Sequence, residues 1–405
     1  MLQKFIYRIF SGRHYWRQVS FDEVAELYAS RLITVFAANF VNMFASVYLY
    51  KLGYSVQFIA FFYAALYAAK IPFSIIVAKY AAYFGPKHGI LMANILRIPS
   101  LIAFALVAIS GPNAFWMVVI FGVFQQMAST FYDLCYMIDF SKVKHSEHAG
   151  KEIGTMQIVE KIAKILSPLI GGAIAAIYGP QVTIIFASVL FVIAAVPLLR
   201  TVEPTRIHDK LKLSGFPWQL SVPSMISQSV SGYDYVASGL TWSLFVTLFV
   251  FGSLGDSVYA ALGGLASLGV LVSMIAAWTF GQMVDRHKGG ILLTAGTVVN
   301  AGIHLFRSFV TSGAGVVGVN MANETATSAY ALPFTRVMFD VADSSGFRIT
   351  YLMFIEMMVN LGACLACIVL VLGVTTLGTR EGMTAAFIIA AMYEFVMLVS
   401  RRAAR

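Results

Sequence analysis

Long apolar stretches follow one another along almost the whole chain, separated by short polar segments. A helix of about 20 apolar residues crosses a bilayer core about 30 Å thick, and each stretch is close to that length. The stretches do not alternate with period two, so they favour helices over barrel strands. They predict twelve membrane-spanning helices, near residues 27–50, 55–80, 88–110, 114–140, 152–178, 180–199, 229–254, 257–284, 289–311, 313–340, 347–373 and 382–400.

Composition supports the same fold class. Of the 405 residues, 59% are hydrophobic and 12% are charged, whereas a soluble domain carries about 25% charged residues. A soluble fold has no interior large enough for so much apolar surface. We therefore predict an all-α polytopic protein, integral to the cell inner membrane or an equivalent membrane and surrounded by lipid.

The net charge of +9 raises the question of a nucleic-acid partner, and the distribution of the 28 Lys and Arg residues answers it. Given the predicted spans, 19 of them lie on one side of the membrane, two on the other (Lys51 and Arg380) and seven inside helices. The positive-inside rule then places both termini in the cytoplasm. Because the basic excess follows membrane topology, we predict no nucleic-acid partner, and we expect a monomer.

The longest polar interruption, residues 201–228, divides the predicted spans into six and six. Matching landmarks recur once in each half, as in transporter folds built from repeats. The tetrapeptide LGYS at 52–55 precedes span 2 as LGDS at 254–257 precedes span 8, and Glu160 and Glu356 occupy equivalent places in spans 5 and 11. The predicted organisation is a cytoplasmic interfacial segment at 1–26, a six-helix bundle at 27–200, a cytoplasmic linker at 201–228 and a second six-helix bundle at 229–405.

A cytoplasmic loop motif carries the most specific family resemblance. Gly281, an apolar pair, Asp285, Arg286 and the nearby Lys288 resemble the loop motif of the major facilitator superfamily. An Asp-Arg turn can hold its carboxylate against a helix N-terminus while the arginine reaches a nearby carboxylate. We therefore expect Asp285 to lie near the cytoplasmic start of span 5, with Lys151 as its ionic partner.

Two further sequence elements can be compared with the superfamily: the first-half copy of the loop motif and a proline-glycine element in span 5. The first-half copy of the loop motif departs from the family pattern, with Ala82 and Tyr83 where Asp and Arg are expected. In span 5, Pro168, Gly171 and Gly172 are similar to the Gly-Pro-x-x-Gly-Gly element associated with antiporters, with serine in place of the first glycine. Independently of any family, these three residues allow a helix to bend and to approach a neighbour closely.

The resemblance implies two pseudo-symmetric bundles around a central cavity that is lined by spans 1, 4, 7 and 10. Spans 2, 5, 8 and 11 would lie between the halves. Polar side chains on the cavity-lining spans form the candidate cavity set, and in spans 1, 4 and 10 they share a helix face. Packing between helices is the alternative role for each of them. The set is Arg31, Asn39 and Asn42 in span 1; Gln126, Thr130 and Asp133 in span 4; Tyr233, Asp234 and Trp242 in span 7; and Asn320, Asn323, Glu324 and Thr327 in span 10.

Charged residues inside the membrane are more informative, because each costs at least ~2.5–3.5 kcal/mol at mid-bilayer unless it has a partner or water. Glu160 and Lys164 are one turn apart in span 5 and can pair along the helix. Glu324 and Glu356 also lie near mid-membrane. These groups either brace the halves as buried ion pairs or take part in coupling and solute contact. Glu324 is the best placed to carry a coupling proton because its helix should line the cavity.

The leading functional prediction is secondary active transport of a small solute by alternating access, driven by a proton gradient, with the antiporter-like element favouring export. The chain has no Walker-type phosphate loop, and we predict neither a cofactor nor a metal site. A membrane-embedded enzyme is one alternative, but only His304 among seven histidines sits well inside a span. The other is a non-transporting scaffold or sensor of transporter fold.

Overall fold

The computed structural model describes the backbone of residues 21–42, 44–143, 149–198, 211–286 and 288–402. Within these ranges the protein is helical and has no strand. Most of the predicted interfacial segment and the first part of the predicted linker fall outside them. The long helices, numbered here in chain order, are α1 (Phe21–Asn42, continued by Ala45–Lys51), α2 (Val56–Phe84), α3 (Pro86–Leu106), α4 (Ala114–Val143), α5 (Ala149–Tyr178), α6 (Pro180–Leu198), α7 (Trp218–Tyr235, continued by Val236–Thr241 and Trp242–Phe249), α8 (Ser257–Asp285), α9 (Gly289–Arg307), α10 (Gly313–Ser344), α11 (Arg348–Leu377) and α12 (Thr379–Glu394, continued by Phe395–Arg402).

The helices agree with the twelve predicted spans. Within the described residues, nine of them are long and apolar enough to cross a membrane unaided. The remaining three are the short α6, the interrupted α7 and the polar α10. The protein is therefore an all-α polytopic membrane protein.

The start of α7 corrects one predicted boundary. The helix begins at Trp218, eleven residues before the predicted span, so the end of the predicted 201–228 linker is helical. The segment is part of the polar interruption, but its serines Ser221, Ser224 and Ser227 are buried. The Ser224 hydroxyl lies 2.7 Å from the Tyr351 hydroxyl, and the Ser227 hydroxyl donates to the Met397 carbonyl at 3.1 Å. Hydroxyls satisfied in this way can face neighbouring helices inside a membrane.

The pattern of helix packing repeats between the two halves. In the first half the main contacts are α1–α5, α1–α6, α2–α4, α3–α4, α3–α6 and α5–α6; in the second they are α7–α11, α7–α12, α8–α10, α9–α10, α9–α12 and α11–α12. Each second-half contact is the first-half contact shifted by six helices. The main contacts between the halves are α2–α11 and α5–α8, and the same shift by six helices converts one into the other. The fold is thus two pseudo-symmetric six-helix bundles, with α2, α5, α8 and α11 between them as expected.

Glycines allow the helices between the halves to approach closely. A Cβ atom on Gly172 of α5 would lie 2.6 Å from the Tyr259 carbonyl oxygen and 3.2 Å from the Gly263 Cα of α8. A Cβ on the adjacent Gly171 would lie 3.3 Å from Phe40 of α1. The glycine pair of the span 5 element therefore sits at two helix contacts that leave no room for a side chain.

Candidate functional site: the central cavity

Two adjacent cavities, here called lobes, lie between the bundles and share part of their lining. The lobe on the first-half side, here the N-lobe, has a volume of about 470 Å³, and the lobe on the second-half side, the C-lobe, about 440 Å³. Both lobes are lined by Asn39, Tyr63, Tyr67, Lys164 and Tyr235. Each lobe falls within the range of volumes that hold small molecules in proteins.

Most of the polar residues in the candidate cavity set line these lobes. Arg31, Asn39, Gln126 and Asp133 line the N-lobe. Asp234, Trp242, Asn320, Asn323, Glu324 and Thr327 line the C-lobe. Helices between the halves contribute as well, so the lining is wider than α1, α4, α7 and α10. The side chain of Asn42 lies outside the described residues.

Two members of the predicted set line neither lobe. Thr130 is fully buried, and its hydroxyl donates to the Gln126 carbonyl of its own helix at 2.9 Å. Tyr233 is buried and packs on Tyr393 with ring centroids 4.7 Å apart, whereas Tyr235 lines both lobes. Two residues turn an α-helix by about 200°, so Tyr233 and Tyr235 face opposite sides of α7. Of these two tyrosines, Tyr235 is the one that lines the cavity.

Glu160 is held by cations at the edge of the N-lobe. Its Oε1 accepts from Arg31 Nε at 2.7 Å, and its Oε2 lies 3.7 Å from Lys164 Nζ, the pair expected from their spacing. The Tyr136 hydroxyl also donates to Oε1 at 3.4 Å. Arg31 lies over the Tyr136 ring, with its guanidinium carbon 3.9 Å from the ring centroid. This carboxylate is thus fully partnered.

Glu356 makes an ion pair that joins the two halves. Its Oε1 lies 3.5 Å from Lys70 Nζ of α2 and accepts from Asn360 Nδ2 at 2.9 Å. Lys70 also donates to the Ser129 hydroxyl at 3.1 Å. Lys70 is 6% exposed and Glu356 is 4% exposed, so the pair is almost completely shielded from solvent.

Glu324 differs from these two acids. Within the described residues its carboxylate has no hydrogen bond and no cation within ion-pair distance. The charged groups that interact with it at longer range are Asp234, Lys161, Lys164 and Arg307. Space for the side chain comes from α8, where a Cβ on Gly269 would lie 3.0 Å from Glu324 Cγ. Glu324 therefore presents an unpaired carboxylate to the C-lobe.

Behind the C-lobe lies a buried group of four ionisable side chains, here the Asp234 cluster: Asp234 of α7, His304 and Arg307 of α9, and Glu394 of α12. His304 Nε2 lies 3.0 Å from Asp234 Oδ1 and 3.6 Å from Glu394 Oε1. Arg307 Nη1 lies 3.0 Å from His304 Nδ1. Tyr330 donates its hydroxyl to Asp234 Oδ2 at 2.7 Å. The cluster ties three helices of the second bundle together.

The geometry of the Asp234 cluster raises the question of a metal, because Asp234, His304 and Glu394 offer ligand atoms within 4.8 Å of one another. Arg307 can only donate, so Nδ1 of His304 accepts from it and the ring proton is on Nε2. A metal would need the Nε2 lone pair, which that proton occupies, and the Arg307 charge would repel a cation. The donor set fits an internal hydrogen-bond network better than a metal.

The residues of the loop motif are only partly described. Gly281 has open space around its Cα, and Arg286 and Lys288 are exposed. The side chains of Asp285 and Lys151 lie outside the described residues. Their expected contact stays a prediction.

The family model of the Major Facilitator Superfamily matches residues 27–367. The chain belongs to this superfamily. Among curated protein sequences, none matches the chain.

Solved structures of other superfamily-like transporters share the fold. A bacterial homologue of the iron transporter ferroportin, in an outward-facing state with soaked iron, has a TM-score of 0.67 at 14% identity and covers 95% of this chain and 100% of that chain. A POT family transporter in complex with 5-aminolevulinic acid has a TM-score of 0.71 at 11% identity, covering 94% and 96%. The nucleoside transporter NupG has a TM-score of 0.66 at 11% identity, covering 94% and 98%. At these identities the likeness establishes the fold alone.

Several charged residues of this superfamily member were not in the predicted set. Lys70 and Arg97 line the N-lobe, and Arg307 lines the C-lobe. Their charge could have identified them from the sequence, because all three lie inside predicted spans, where a cation without a partner is costly. The superfamily expectation directed attention to four spans, and these residues lie on α2, α3 and α9.

Proposed function

We propose that this protein is a secondary active transporter that moves a small solute by alternating access, with a proton as the coupling ion. The supporting observation is a cavity between two pseudo-symmetric bundles, lined by charged side chains from both of them. Rocking of one bundle against the other around such a site would expose it to each side of the membrane in turn.

Glu324 is the proposed proton carrier. Protonation of Glu160 or Glu356 would remove a charge that neighbouring cations hold, whereas protonation of Glu324 would break no ion pair in this conformation. A carboxylate's affinity for protons depends on the partners that each conformation supplies. Movement of the bundles that brings Lys164 or Arg31 towards Glu324 would release the proton.

The direction, orientation and membrane are also proposals. The element around Pro168 favours export by proton antiport, and the positive-inside distribution favours cytoplasmic termini in the inner membrane or its equivalent. We also propose that the functional unit is a monomer. The ligands bound in the structural neighbours differ widely, from iron to 5-aminolevulinic acid. They do not indicate one solute for this chain.

Two other functions compete with this proposal. A scaffold or sensor of transporter fold would bind ligand without moving it. An enzyme would need a nucleophile or hydrolytic centre, but the family and the structural neighbours are transporters and His304 is enclosed with Arg307. The test compares solute flux into sealed proteoliposomes with solute binding in detergent. A transporter shows both, whereas a scaffold, a sensor or an enzyme shows no flux.

Glu324→Gln tests the proton carrier, because it keeps the side-chain shape and removes the titration. With a solute selected by a thermal-shift screen, gradient-driven transport by Glu324→Gln should collapse while solute exchange without a gradient persists. The matched control is Glu381→Gln at an exposed position of α12. Full gradient-driven transport by Glu324→Gln at several pH values would refute the assignment, and binding without any flux would favour a sensor.

A further inference from the structure

Arg97 of α3 is a buried arginine without a partner. Its side chain lines the N-lobe and is 5% exposed. The Nε and Nη1 atoms are completely buried and make no hydrogen bond within the described part of the chain. The guanidinium is always charged and carries five N–H donors. Burial of such a charge costs free energy unless a counter-charge or hydrogen-bond acceptors compensate it.

Aromatic rings compensate only part of this cost. The guanidinium carbon of Arg97 lies 4.8 Å from the Tyr132 ring centroid and 4.7 Å from that of Phe191. Arg31 lies over the same Tyr132 ring at 4.9 Å. Contacts with ring faces stabilise the charge but satisfy none of the N–H donors in the guanidinium plane. The Nε and Nη1 donors of Arg97 therefore remain unsatisfied beside a second cation.

The other charges around the N-lobe are already matched. Glu160 is held by Arg31 and Lys164, and Glu356 is held by Lys70. These acids cannot serve Arg97 without giving up their own partners. The lobe is left with one buried cation that has no counter-charge within ion-pair distance among the described residues.

Asp133 is the internal acid that could compete for this role. It lines the same lobe, but its side chain is exposed to the cavity and no ion pair with Arg97 is formed. One unmatched buried cation suits one negative charge. A doubly charged phosphate would leave a net negative charge beside Asp133, Glu160 and Glu356. The site thus favours a monoanionic carboxylate.

We propose that the N-lobe binds the carboxylate group of the transported solute on Arg97, and that the solute is therefore a small organic acid or zwitterion. This rests on the proposed transport function, because it assigns a solute class to the same cavity. The planar fork of arginine matches the two oxygens of a carboxylate and can form two parallel N–H···O bonds. Arg31 adds positive potential without giving up Glu160.

Matched acid and amide pairs test this site on the purified full-length protein. The probes are propionate and propionamide, benzoate and benzamide, and N-acetylglycine and its amide, with inorganic phosphate as a separate arm. A ligand that binds the folded state raises the melting temperature in a concentration-dependent way. We expect at least one acid to stabilise the protein while its amide does not, and phosphate to have no effect.

Variants connect the effect to Arg97. Loss of one partner of a buried charged pair costs about 2 kcal/mol or more, so Arg97→Gln should weaken binding of the effective acid at least ~30-fold. Arg97→Lys keeps the charge but loses the fork, and it should bind with intermediate affinity. The matched control is Arg348→Gln, which removes an arginine that pairs with Asp343 outside the cavity. That variant should bind like the wild type.

Each outcome decides the proposal. If acids stabilise the wild type no better than amides, if phosphate is preferred, or if Arg97→Gln and Arg97→Lys respond as the wild type does, the carboxylate site is rejected. Flux in proteoliposomes keeps this result separate from the transport proposal. Acid binding without flux would reject transport and keep the site, whereas flux of a neutral solute that Arg97→Gln leaves intact would reject the site and keep transport.

Discussion

Removal of Arg307 should destabilise the second bundle strongly. The side chain is fully buried and donates to Ser238 Oγ at 2.9 Å and to Asn323 Oδ1 at 2.8 Å, besides its contact with His304. Arg307→Met keeps most of the volume but leaves the two carboxylates of the Asp234 cluster with no permanent cation. Arg307 acts on these carboxylates without a direct ion pair, and leaving a buried charge uncompensated costs about 3–5 kcal/mol. Since whole proteins are stable by only about 5–15 kcal/mol, this is a large share.

The assay is reversible unfolding in mixed detergent micelles, followed by circular dichroism. The matched control is Arg348→Met, whose partner Asp343 is 42% exposed in its side chain, so it should lose no more than ~1 kcal/mol. Adding Asp234→Asn to Arg307→Met removes one of the two uncompensated charges and should recover part of the loss. The reasoning is refuted if Arg307→Met costs no more than Arg348→Met, or if the second substitution makes the loss larger.

Two further predictions concern the contacts between the halves. Gly172→Leu should prevent the close approach of α5 to α8 and abolish folded, monodisperse protein on size-exclusion chromatography, whereas Gly318→Leu, at a glycine with open space around it, should not. Lys70→Met should lower the unfolding free energy by about 3–5 kcal/mol because it leaves Glu356 buried and unpaired. The double variant with Glu356→Gln should be more stable than Lys70→Met alone, and an equal or lower stability would contradict the bracing role.

Apolar length along the chain sufficed to predict the number and order of the helices, because each span must match the bilayer whatever its neighbours are. The start of α7 was missed because burial of Ser224 and Ser227 depends on partners in α11 and α12. Polar spacing put Asn320, Asn323 and Glu324 on one face of span 10, and all three line the C-lobe. Spacing did not specify which face of α7 meets the cavity, so it could not distinguish Tyr233 from Tyr235.

The sequence by itself determined the all-α membrane fold, the repeat and the pairing of Glu160 with Lys164, which lie one turn apart on one helix. These properties follow from hydropathy and from local helix geometry. The tertiary structure decided the rest: that Arg31, 129 residues away, also holds Glu160, that Glu356 is paired across the halves, and that neither Glu324 nor Arg97 forms an ion pair with any residue the structure describes. Such pairings depend on the rotation and packing of separate helices, which side-chain spacing within one helix does not specify.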